Sequence, residues 1–266
     1  QNNKQIYDYV YETEGEEIKN FLGEIWEAMK ESICLGLNAE GIIPGKLQLS
    51  KRAKSIYNNK IENEPTEVKR TRLLTAYAYA VSETNASGGE IVTAPTCGSC
   101  GVLPASLYYL QKEDKYTDEE IINALATAGI IGNIVKTNAS ISGAECGCQA
   151  EIGTACSMAA AACSQLRKLD IYKIEHAAEI AMEHHLGLTC DPIYGYVQIP
   201  CIERNAVAAI RAIDASNISM LLDENQKISF DLIIETMYET GKDLRSHYRE
   251  TSTGAVSYTH LTLPTT

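Results

Sequence analysis

The chain has 266 residues, 45% hydrophobic and 22% charged, with a formal net charge of −12. That length and balance suit a globular chain with a substantial core. The negative charge disfavours nucleic acid and anionic membrane surfaces as partners. No apolar stretch approaches the roughly 20 residues of a membrane span, and the polar start "QNNKQIYDYV" carries no signal-peptide pattern. Nine cysteines are an odd number, and without an export signal they read as thiols or metal ligands in a reducing, cytoplasmic compartment.

Helical periodicity dominates. Ile18, Phe21, Leu22, Ile25, Trp26, Met29 and Ile33 form one apolar helix face. "GLNAEGIIPGK" breaks it. The polar stretch "SIYNNKIENEPTEVKR" reads as an exposed linker or loop, followed by a helix through Leu73, Leu74, Tyr77 and Ala80. Thr117 and Glu120 make a capping box ahead of "IINALATAGII". "QAEIGTACSMAAAACSQLRKL" is rich in alanine, the best helix former. Asp170 is placed to cap a further helix reaching His185, with Gly187 as its stop. "ERNAVAAIRAIDAS" and "FDLIIETMYETG" are two more. "EIVTA" and "YVQIP" are short strand candidates. The expected class is mostly α: one all-helical catalytic domain over 1–254, with cysteine-bearing loops converging on a cluster. The threonine-rich end, 255–266, reads as a disordered or artefactual tail.

The cysteines divide by context. Cys34, Cys156 and Cys163 lie on helices and read as packed small residues. Cys148 in "SGAECGCQAE" sits between a glycine and a helix start, where a thiol pKa falls. Cys190 and Cys201 bracket "CDPIYGYVQIPC", an irregular segment with two prolines and a glycine. Loops let thiolates from separate elements converge, so a metal site and plain packing both remain open here. The spacings fit neither a zinc finger nor a ferredoxin. In "TAPTCGSCGVLP", Cys97 and Cys100 form a C-x-x-C pair beside a helix expected to begin near Val102. That loop reads either as a tight helix start or as a backbone anion cradle.

"TAPTCGSCGVLPA", "NASISGAECGCQAEIGTACSMAAAA" and "GLTCDPIYGYVQIPCIERNAVAAIRAIDAS" closely resemble the catalytic α part of bacterial iron–sulfur L-serine dehydratases (L-serine ammonia-lyases). The resemblance runs from about Glu16 to Ser252, and "EGIIPGKLQLSKRA" resembles a segment of the family's single-chain members. It implies a [4Fe–4S] cluster held by Cys148, Cys190 and Cys201, with one iron open as a Lewis acid for the substrate hydroxyl and no pyridoxal phosphate. A base would remove the Cα proton of L-serine, and the aminoacrylate formed would yield pyruvate and ammonia. The same resemblance gives Cys97 and Cys100 no ligand role. It leaves Thr93, Thr96, Cys97, Gly98 and Ser99 as a substrate-binding loop, joined by Ser142 and Gly143. Glu145, Glu203 and Arg204 would support or tune the cluster, although Glu203 and Arg204 read equally as a helix-surface ion pair.

The family's proposed base lies on a β domain with an SSHT-type motif. "SYTH" at 257–260 is not that motif, so the base is expected elsewhere, on a β subunit or on a segment cut from the N-terminus. No cysteine follows Cys201, whereas some members close the open iron with a C-terminal one. The resemblance thus implies L-serine and a β part as partners, an oligomer, and little turnover by this chain alone. Two relatives of this reading, an L-cysteine desulfidase and an L-threonine lyase, share the scaffold. The remaining alternatives are a non-catalytic zinc protein using Cys97, Cys100, Cys146 and Cys148, and, last, a thiol–disulfide module.

Overall fold

The computed structural model describes residues 4–223 and 226–250. In chain order its helices are α1 (Ile6–Glu14), α2 (Ile18–Asn38), α3 (Ala53–Asn58), α4 (Thr66–Ala86), α5 (Val102–Asp114) and α6 (Asp118–Asn138). They continue as α7 (Gly143–Cys146), α8 (Thr154–Leu166), α9 (Ile171–Glu183), α10 (Cys201–Leu221) and α11 (Phe230–Asp243). A π-helical turn over Gln149–Gly153 precedes α8. The described residues form no sheet; an isolated antiparallel bridge joins Ile42 and Ser50. The mostly α class read from the sequence is therefore the observed one. None of these helices is long and apolar enough to cross a membrane.

α8 is the axis of the fold. All of its residues are buried, and it packs against α5, α6, α9 and α10. Its alanines, Ala159–Ala162, present so little side chain that neighbours close in from every side, and interiors tolerate no gaps. Its polar groups are paired within the core: Ser157 Oγ donates to Ala178 O at 2.8 Å, and Ser164 Oγ to Ser216 Oγ at 2.9 Å. An unpaired hydroxyl here would cost about 1–3 kcal/mol.

The sequence signals at helix ends hold. Glu120 N–H donates to Thr117 Oγ1 at 3.2 Å while Thr117 N–H donates to Glu120 Oε2 at 3.0 Å. Lys173 N–H donates to Asp170 Oδ1 at 3.0 Å, and α9 ends at Glu183, two residues before the expected His185. Gly187 follows with φ +79°. His185 is buried, with Nδ1 against Ala181 O at 2.6 Å.

Four expectations fail. "EIVTA" and "YVQIP" are not strands; a strand needs a ladder partner, and among the described residues neither has one. Gln198 N–H bonds Tyr196 O, and Gln198 Nε2 reaches Pro44 O. The polar linker is partly helical, because it holds the end of α3 and the start of α4. Arg72 braces the turn between them through both oxygens of Glu64 and the Tyr57 carbonyl. Phe21 and Cys34 on α2 are exposed rather than packed, since that helix turns one flank, Leu35 included, to solvent. α1 has no counterpart in the sequence reading. The tail at 255–266 lies outside the described residues.

Candidate functional site

Three loops meet beside the start of α8. Cys148 stands at the junction of α7 and the π-turn, Cys190 in the irregular run between α9 and α10, and Cys201 at the first position of α10. All three are buried, at 1%, 3% and 6% exposure. Their placement follows from the chain's punctuation: irregular backbone at "GLTCDP" and "QIPC" lets Cys190 turn inward while α10 begins at Cys201.

The Cys148 and Cys190 side chains are close enough that each shifts the other's titration. The neighbouring Cys190 side chain lowers the Cys148 thiol from its ordinary value against the opposing effect of burial. The Arg204 guanidinium adds to this lowering as a nearby cation and hydrogen-bond donor. Cys190 is raised, by the neighbouring Cys148 side chain and then by burial. Burial raises Cys201, and the neighbouring Cys148 raises it further. Arg204 reaches across from α10, donating to Thr189 O at 2.6 Å and lying 3.6 Å from the buried Asp191. One cation thus braces both the Cys190 loop and the Cys148 sulfur.

Gly143 closes the other side. A Cβ on it would fall 2.7 Å from Cys190 Sγ, so only glycine allows this approach. Cys190 N–H donates to Tyr248 O, and Glu250 N–H to Gly143 O. The segment after α11 therefore crosses the site and brings the Glu250 carboxylate 3.8 Å from Cys190 Sγ.

The "PTCGSCG" loop lies alongside. It forms a short turn, Cys97–Ser99, leading into α5 at Val102, as expected. Asn205, fully buried one turn after Cys201, fastens it: Nδ2 donates to Gly98 O and Cys201 O, and Oδ1 accepts from Gly101 N–H. Against this loop sits Glu151 of the π-turn, 8% exposed. Its Oε1 lies 2.1 Å from where a Gly98 Cβ would be, and the Thr96 side chain acts on its carboxyl. Burial pushes the Glu151 carboxyl up to about 7, opposed by Thr96. It acts electrostatically on Cys97, Cys148, Cys190 and Cys201.

Thr96, Gly98, Gly143 and Arg204 therefore gather with the three cysteines. Ser99 is buried and spends its hydroxyl within its own loop, on Ala94 O and Thr96. Thr93 and Cys97 are exposed, and Ser142 is half-buried at the start of α7, its N–H held by Ser140 Oγ. Glu145 and Glu203 stand apart. Glu145 is exposed, accepts from Ser140 Oγ at 2.6 Å and acts on Cys146. Glu203 is exposed and lines a different cavity with Arg52, Tyr79 and Gln198. Glu203 and Arg204 do not form the surface ion pair that was the other reading. Glu151, Asn205 and Glu250 were missed from sequence. Glu151 alone carried a signal there: an acid embedded in a run of small apolar residues.

Among the described residues, no three Cys, His, Asp or Glu side chains converge at single-ion spacing. Cys146 faces Gly241 of α11 while Cys148 faces Cys190, which separates members of the four-cysteine zinc alternative. An iron–sulfur cluster makes a different demand, since each thiolate ligates its own iron. Three buried thiols on three loops, with an arginine beside one of them, are a donor set of that kind.

A helical domain carrying such a thiol-lined cleft has matching relatives. The profile described as "Serine dehydratase alpha chain" matches residues 1–257, and the chain belongs to that family. It is 48% identical over 248 residues to an L-serine dehydratase of Haemophilus influenzae and 46% identical over 249 residues to L-serine dehydratase 2 of Escherichia coli K12. A Streptomyces coelicolor L-serine dehydratase is 45% identical over 243 residues. In each case 91% of this chain is covered, and the chain spans about half the relatives' length, 53–54%.

Proposed function

We propose that this chain is the α portion of an L-serine dehydratase, eliminating water from L-serine to give pyruvate and ammonia with a [4Fe–4S] cluster held by Cys148, Cys190 and Cys201. The observation that carries this reading is the gathering of three buried cysteines with Arg204 beside the start of α8, in a chain belonging to this family. When bound, the cluster supplies a Lewis-acidic iron that makes hydroxide a better leaving group.

This chain's own residues do the rest of the positioning. Arg204 balances thiolate charge and holds the Cys190 loop through Thr189 O. Asn205 fixes the distance between the Gly98 loop and Cys201. Gly98 and Thr96 face the cleft beside Glu151, where the substrate would lie. The base that takes the Cα proton, and further substrate contacts, are assigned to the other half of the protein, a β domain or subunit, in keeping with the relatives' greater length. The native protein would be an oligomer of such units in a reducing compartment. The test is pyruvate release by the anaerobically prepared full-length protein offered L-serine, L-threonine and L-cysteine in competition. Preference for serine is expected; sulfide release from cysteine as the faster reaction would reassign the substrate.

A further inference from the structure

Glu151 has no part in holding the three cysteines together, yet it is more than nine-tenths buried beside them. A buried carboxylate is costly unless paired with a cation. Among the described residues no ion pair reaches it, and the side chain that acts on it most is the neutral Thr96 hydroxyl, beside a group with about four acceptor sites. Arg204 acts on it more weakly than burial, Thr96 or Glu250, and pairs with Asp191 instead. Among the described residues the buried Glu151 carboxylate thus lacks a cation and N–H donors. The carboxylate is also seated on the bare Cα of Gly98, with its Oε1 2.1 Å from the position a side chain would need, so the loop is shaped to admit it.

We propose that Glu151 is the acceptor for the α-ammonium group of the amino-acid substrate. An ammonium brings one positive charge and N–H donors to a carboxylate with spare acceptor capacity. Held there, the amino acid lies between the Gly98 loop and the cysteine cleft. Glu151 then selects α-amino acids as a class over hydroxy acids of the same size, and leaves the choice among serine, threonine and cysteine to other contacts. This inference rests on the dehydratase reading.

The experiment uses the full-length, cluster-loaded protein under anaerobic conditions. L-serine and 3-hydroxypropionate, which keeps the carboxylate and hydroxyl but lacks the ammonium, are titrated calorimetrically into the wild type and Glu151→Gln. Iron and sulfide are counted in both. L-serine is expected to bind the variant about 10- to 100-fold more weakly, the loss of a charge-assisted hydrogen bond. 3-Hydroxypropionate should bind unchanged or more tightly, because a repelling carboxylate is gone. Equal weakening of both ligands, unchanged serine affinity, or loss of iron from the variant would each overturn the assignment. A loaded wild type that binds no L-serine would instead overturn the dehydratase reading beneath it.

Discussion

The two cysteines inside the α8 core and the three in the loop cleft are all buried, and their chemistry differs. Cys156 and Cys163 lie on α8 among alanines. Burial pushes Cys163 up to about 12 and raises Cys156 further, so both stay protonated packing groups, Cys156 Sγ resting on Ala208 O at 3.3 Å. Cys148 is just as buried, but the neighbouring Cys190 side chain and the Arg204 guanidinium lower it from its ordinary value. Burial alone makes a cysteine inert. A ligand-competent one needs irregular backbone to turn it toward its fellows and a charge to stabilise the thiolate.

The sharpest break of that contrast is by substitution. Replacing Cys148, Cys190 or Cys201 singly with serine should abolish bound iron, whereas Cys156→Ala and Cys163→Ala should keep it; iron counts on anaerobic protein decide. Next in size is Arg204→Ala, which strips the cation from Cys148 and from the buried Asp191. It should cost about 3 kcal/mol in urea unfolding, as for a broken buried pair.

A comparable effect comes from the boundary between the regions. Burial lowers His185 to about 4, below its ordinary 6.5. Its folded pKa lies under its unfolded one, so unfolding takes up a proton between about pH 6.5 and 4 and stability falls as pH falls through that window, by up to about 3 kcal/mol. His185→Gln should flatten this part of the stability–pH curve. The smallest change lies in the core scaffold. Thr117→Ala removes the α6 cap for about 1 kcal/mol, read as a lowered melting temperature with iron content unchanged.

What could be read in advance followed the range of each signal. Caps at Thr117 and Asp170 and the alanine run of α8 are local, and the folded chain keeps them. The cysteines in proline- and glycine-rich runs were legible as a group because no helix face needs a cysteine in such surroundings. Glu151, Asn205 and Glu250 were not singled out, because their importance is tertiary: each matters through a partner 53 to 107 positions away, Gly98 for Glu151 and Asn205, Cys190 for Glu250. The strand candidates failed for the same reason, since a five-residue run rich in β-branched and apolar residues says nothing about whether a second strand lies beside it.

The central claim is that Cys148, Cys190 and Cys201 hold an iron–sulfur cluster. Counting iron and acid-labile sulfide on anaerobically purified or reconstituted protein tests it most directly. About four of each per chain, as a [4Fe–4S] cluster contains, is the predicted result. Protein that takes up neither, in a sample whose α8 core remains folded, would contradict it.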